Sequence, residues 1–102
     1  MHLIQVLLPL YDNAGEPVPR DLFRAVAGEL TERFGGLTAY TRAPAQGLWK
    51  EDGHHTTRDD LVVYEVMADR LQRAWWRDYR AGLEARFRQE RVVVRAQAVE
   101  LL

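Results

Sequence analysis

Few side chains in this chain of 102 residues can do chemistry. It has no serine, no cysteine and only five threonines. A hydrolase built on an activated hydroxyl or thiol therefore lacks its nucleophile. What remains is acid–base work by Glu65, Tyr40, His54 or His55, with Arg42 or Arg95 to hold an anionic substrate. Gln5 and Trp49 complete the candidate set, as a polar contact and an apolar anchor. The same charged residues would serve equally as an interstrand or interchain salt bridge. His54 and His55 are adjacent, and neighbours on a strand point to opposite faces, so they cannot easily hold one metal together. Asp52, Asp59 or Asp60 would have to join one of them. Neither an H-E-x-x-H spacing nor a glycine-rich phosphate loop is present. No metal and no cofactor is assigned, and whether the protein is an enzyme stays open at this level.

These residues must be positioned by short elements. Residues 3–8 (LIQVLL) are too few for a helix and are closed by Pro9, which predicts a buried strand. A turn-rich loop (YDNAGEPV) leads to Pro19, suited to a first helical turn. Leu22, Phe23, Val26, Ala27, Leu30 and Phe34 form one helical stripe, ended by Gly35-Gly36. Residues 37–42 (LTAYTR) alternate as a second strand, interrupted at Pro44 and Gly47. Leu48-Trp49-Lys50-Glu51 can resume it, Asp52-Gly53 is a hairpin signal, and His54 to Asp60 would be the return arm or a loose loop. Residues 61–67 (LVVYEVM) form the clearest strand. Asp69 and Gln72 read as a variant capping box opening a second helix with Leu71, Trp75, Trp76, Tyr79, Leu83 and Phe87 on its apolar face. Gly82 lies inside that helix, where close packing would account for it. Residues 91–101 form the last strand.

The order β-α-β-β-α-β predicts an α+β fold, the ferredoxin-like sandwich. Residues 1–102 make a single domain, with a four-stranded antiparallel sheet in order 4-1-3-2 and both helices on one face. Glu65, on a central strand, sets the parity, because a lone carboxylate cannot be buried under helices. Ile4, Val6, Leu8, Val62, Tyr64, Val66, Val92, Val94 and Ala96 then face the helices. Leu3, Gln5, Leu7, Thr38, Tyr40, Arg42, Val63, Glu65, Met67, Val93, Arg95 and Gln97 face away. That uncovered set is half apolar, which suits a homodimer in which two sheets pack face to face, or a ligand pocket on the same face.

Charge is balanced, with 14 basic and 15 acidic residues, but unevenly spread. Residues 69–102 carry a net +3 and residues 1–68 the compensating −4. Arg70, Arg73, Arg77, Arg80, Arg88 and Arg91 lie opposite the apolar arc of the second helix and read as a solvated face. The aromatic residues that stack bases on this fold are missing from the central strands, which speaks against nucleic acid. Of the two adjacent tryptophans, Trp75 is expected in the core and Trp76 at its edge. Residues 42–60 read as a mobile flap with Trp49 as its anchor, bringing His54 or His55 over the uncovered face. No apolar run is long enough to span a bilayer and no signal peptide is visible, so a cytoplasmic protein without a membrane partner is expected.

Gly36-Leu37-Thr38, Gly47-Leu48-Trp49 and the strand at residues 61–67 resemble a group of short uncharacterised bacterial proteins. These share a G-L-T-x-x…G-x-W pattern before a hydrophobic strand. The resemblance implies a ferredoxin-like, dimeric domain. The architecture is also similar to the dimeric α+β barrel group, which includes cofactor-independent oxygenases and isomerases, though no residue motif carries that activity over. Two functions follow: a homodimeric interaction or regulatory module, or a small-molecule enzyme or binder using acid–base chemistry on an anionic metabolite.

Overall fold

A computed structural model gives the architecture. It describes residues 1–50 and 56–102, with only the backbone path for 42–47, 49–50 and 56–59. The elements are β1 (His2–Pro9), α1 (Arg20–Phe34), β2 (Thr38–Lys50), β3 (Thr56–Ala68), α2 (Arg73–Arg86) and β4 (Val93–Ala98). They form one four-stranded sheet in order β2-β3-β1-β4, every pair antiparallel. This is the predicted ferredoxin-like arrangement. β1 and β3, which carry the runs of large apolar residues at 3–8 and 61–67, are central, and β2 and β4 are the edges.

The core lies between the sheet and the helices. Ile4, Val6 and Leu8 from β1, Val62, Tyr64 and Val66 from β3, and Val92 just before β4 are all buried. They meet Val26 and Leu30 of α1 and Trp76, Leu83 and Phe87 from α2 and its end. The parity set by Glu65 therefore holds for the central strands. It thins out on β4, where Val94 is half-buried and Ala96 exposed. Tyr64 carries a phenol into the core, and its hydroxyl donates to the carbonyl of Phe23 at 3.3 Å.

Local chemistry explains the element ends. Pro19 precedes α1 as its N-cap, and Gly35 closes it at φ 80°, donating its N–H to the Thr31 carbonyl at 2.8 Å. In the loop after β1, one Asp12 carboxylate oxygen accepts from the N–H groups of Ala14 and Glu16, both at 2.9 Å.

Four expectations are corrected. First, α2 starts at Arg73 with Gln72 as N-cap, and no side-chain cap forms. The Gln72 side chain instead accepts from Arg33 of α1 at 2.8 Å, which takes it out of a capping box. Second, the tryptophans exchange places: Trp76 is buried and Trp75 half-buried. The stripe is centred on Trp76 and Leu83, seven residues apart and so nearly in line on a helix. Arg80, expected on the solvated face, consequently flanks the core and is half-buried. Third, a Cβ on Gly82 would meet nothing within 4 Å, so close packing does not explain that glycine. Fourth, most of residues 42–60 is not loop. β2 and β3 pair in register from Ala45↔Leu61 to Lys50↔Thr56, as the two arms of a long hairpin. Val, Leu and Thr-poor sequence does not prevent this, because ladder hydrogen bonds come from the backbone. The hairpin signal Asp52-Gly53 lies outside the described residues.

Candidate functional site

The strand register arranges the uncovered face in three cross-strand rows. The middle row runs Arg95 (β4), Gln5 (β1), Glu65 (β3) and Thr38 (β2), each directly opposite the next. On one side lies Gln97, Leu3 and Met67, and on the other Val93, Leu7, Val63 and Tyr40. A polar row is thus set between rows dominated by aliphatic side chains. Leu3, Leu7, Val63 and Val93 are half-buried, whereas Met67 and Tyr40 are about half exposed, at 47% and 52%.

The polar row is connected. The Arg95 Nε donates to Gln5 Oε1 at 2.7 Å. Gln5 Nε2 donates to Glu65 Oε1 at 2.6 Å. The Tyr40 hydroxyl approaches the other oxygen, Oε2, at 3.4 Å. The Gln5 amide therefore links a guanidinium to a carboxylate, and Glu65 accepts from two strands at once. This is consistent with its being half-buried in an aliphatic setting, since a carboxylate there needs hydrogen-bond donors. Chemically, the row offers a fixed cation at the sheet edge and a fixed carboxylate near its centre, roughly 10 Å apart along two strand spacings. A carboxylate so held can accept a proton or balance a positive charge.

Four of the eight residues singled out from sequence are thus brought together: Gln5, Tyr40, Glu65 and Arg95. Arg42 falls where four residues of β2 stand opposite one residue of β3, between Tyr40 and Ala45. Such an irregularity breaks the alternation that placed Arg42 on the uncovered face. Its side chain, like that of Trp49, lies outside the described residues, as do His54 and His55 entirely. No group of three or more metal-ligating side chains occurs among the described residues. No described helix is long and apolar enough to cross a membrane.

A second polar cluster joins the helices. Arg86 of α2 forms two hydrogen bonds with Glu29 of α1, at 2.9 and 3.1 Å, and the Tyr79 hydroxyl donates to the same carboxylate at 2.8 Å. The Arg86 hydrogen bonds hold the Glu29 carboxyl below its usual range, against a smaller opposing effect of burial. Burial, reinforced by Glu29, pushes the Tyr79 phenol well above its ordinary value. This cluster was not found from sequence, because its partners are 50 and 57 residues apart. All three residues are satisfied by one another, which marks a helix latch and not a reaction centre.

No family model matches the chain, and no curated protein matches it in sequence. Among solved structures, the chain is similar in fold to a phage SAM lyase in complex with S-methyl-5′-thioadenosine. That match covers 94% of this chain and 79% of the other, at a TM-score of 0.58 and 14% sequence identity. At that identity the comparison establishes a shared α+β architecture, the ferredoxin-like sheet with two helices described above.

Proposed function

We propose that the protein is a small-molecule-binding domain whose site is the uncovered sheet face, covered in use by a second copy of the chain. The observation that carries this is the Arg95–Gln5–Glu65–Tyr40 row between two aliphatic rows. Arg95 suits an anionic group of the ligand, Glu65 its cationic or proton-donating part, and the aliphatic rows a flat apolar portion. The ligand class is a small anionic or zwitterionic metabolite with an apolar body. A second copy supplies the other wall, because half-apolar sheet faces are stable against a matching surface. The fold neighbour's ligand, a nucleoside thioether, makes adenosyl compounds the first ones to try.

The experiment combines sedimentation at micromolar concentration with a thermal-shift screen of metabolites that includes S-adenosylmethionine and S-methyl-5′-thioadenosine. Binding at 100 times the dissociation constant adds about 2.7 kcal/mol and a clear rise in Tm. Glu65→Gln is expected to abolish that rise while leaving the oligomer intact. A monomer that no metabolite stabilises overturns the proposal. A dimer that no metabolite stabilises favours the second reading, an interaction module, for which the exposed Met67 and its aliphatic neighbours are the supporting observation.

A further inference from the structure

We infer that the opposite side of the sheet carries a second, separate site, between α2 and β4, for a small amphipathic carboxylate. A cavity of about 250 Å³ lies there. Ile4, Trp76 and Val94 give it apolar walls, and Arg73, Arg77 and Arg80 line its other side. Arg95 borders it from β4, although its Nε is committed to Gln5. The arginines share one flank for a simple reason. At about 100° per residue, Arg80, Arg73 and Arg77 stand about 60°, 80° and 120° from Leu83, all on the same side. That side faces the edge strand, where Val94 and Ala96 leave the core incompletely covered.

The charges at this cavity are unmatched. Arg73, Arg77 and Arg80 make no ion pair or side-chain hydrogen bond among the described residues. The Arg80 Nε is sealed from solvent and has no hydrogen-bond partner. That nitrogen therefore lies behind the cavity wall, and what a ligand in the cavity meets is the three unpaired guanidinium side chains that line it, which offer donors and no acceptor of their own. A second orphan, His2 Nδ1, belongs to the helix-facing side of β1, two positions before Ile4. A carboxylate is the acceptor that a guanidinium fork pairs with in two parallel hydrogen bonds. The apolar walls and a volume of roughly eight water molecules specify the rest: a short aliphatic or single-ring body. Bare phosphate leaves those walls unfilled. Nucleic acid does not fit either, because Trp76, the aromatic residue of the cavity, is buried and offers no open stacking face.

The site does not depend on the reading of the uncovered face. Its test is a resonance-by-resonance NMR titration of the full chain with phenylacetate and octanoate, compared with phenylacetamide and inorganic phosphate. At least one carboxylate is expected to shift the Trp76 indole and Val94 amide signals saturably, with no comparable effect from phenylacetamide or phosphate. Arg80→Gln is expected to weaken that binding tenfold or more, and Arg24→Gln, on the exposed side of α1, to leave it unchanged. If Arg80→Gln does not fold, Arg77→Gln replaces it, and the wild-type titration stands alone. The proposal is overturned if neither carboxylate shifts those signals, if phenylacetamide or phosphate binds there as tightly, or if the folded arginine variant binds undiminished.

Discussion

The two flanks of α2 are built in opposite ways. On the flank towards α1, every long polar side chain has a partner. Arg86 pairs with Glu29, Tyr79 donates to the same carboxylate, and the Arg33 guanidinium of α1 sits 4.0 Å from the Trp75 ring centre. Trp75 stacks on Tyr79 at 4.8 Å and meets Phe34 edge to face at 5.6 Å. On the flank towards β4, three arginines line a cavity and make no ion pair among the described residues, while Glu84 on that flank accepts the Val92 N–H at 2.9 Å. One helix thus spends similar residue types on two tasks. Matched charges and filled space characterise a flank that holds the fold. Unmatched charges and empty space characterise one that is not optimised for stability, a common property of binding sites.

The sharpest contrast concerns the adjacent tryptophans. Trp76, 6% exposed, stands at the middle of the stripe and stacks on Phe34 at 5.2 Å. Trp76→Ala is expected to cost about 3–5 kcal/mol. Trp75→Ala removes a partly buried ring at the margin of the core and is expected to cost less than Trp76→Ala. Urea denaturation of the two variants, with m unchanged, checks this order. The reverse order would re-centre the apolar stripe on Trp75 and return Arg80 to solvent, which removes the basis of the contrast.

A smaller effect tests the contrast directly, because the sign differs. Arg86→Met leaves Glu29 and Tyr79 without their cation and is expected to destabilise by about 1 kcal/mol, limited by partial exposure of the pair. Arg80→Met replaces an unmatched, half-buried guanidinium by an apolar chain of similar length beside Ile4 and Val94. It is expected to stabilise by about 1 kcal/mol. Thermal and urea unfolding of both variants give the two signs. Equal signs would mean that the flanks are not differently built.

How much of this was legible in the sequence depended on the range of the interaction. The fold was, because the short apolar runs at residues 3–8 and 61–67 and the helical spacing from Leu22 to Phe34 are local patterns. The row containing Gln5 and Glu65 was legible too, since two antiparallel central strands in the expected order share a face. The resumed strand at Leu48 to Lys50 was likewise legible, but its full pairing with β3 from Ala45 onward was obscured by Pro44 and Gly47, which signal breaks where the backbone ladder continues past an irregularity. Arg80 was hidden by a choice of axis. A stripe drawn through Trp75 leaves Arg80 outside, whereas one drawn through Trp76, Leu83 and Phe87 includes it. Centring on the residues that recur at i, i+7 and i+11 would have found it. The orphaned Nε and the cavity itself depend on how α2 sits over β4, and no local pattern encodes that.

The smallest expected effect is a pH dependence confined to the α1 flank. Glu29 has its pKa lowered in the folded protein, chiefly by hydrogen bonds from Arg86. Its contribution is therefore complete above the ordinary carboxylate range and is lost as pH falls through the lower folded value. Tyr79 is shifted the other way, mainly by burial and then by Glu29. Its contribution is complete below the ordinary phenol value of about 10 and is lost as pH rises through the higher folded one. Glu29→Gln is accordingly expected to be less stable than wild type at neutral pH, by a few tenths to about 1 kcal/mol, given solvent screening of the half-exposed pair. That gap should close in acid, once pH has fallen through the lowered folded value and the wild-type carboxylate is also protonated. The alkaline decline should survive in Glu29→Gln, because burial of Tyr79 is its larger cause. In Tyr79→Phe it should be reduced but not abolished, because burial also raises the pKa of Tyr64. Urea denaturation across the pH range reads both limbs. A Glu29→Gln gap that stays constant into acid, or an alkaline limb untouched by Tyr79→Phe, would show that the latch contributes packing alone, and the electrostatic half of the contrast between the flanks would fall.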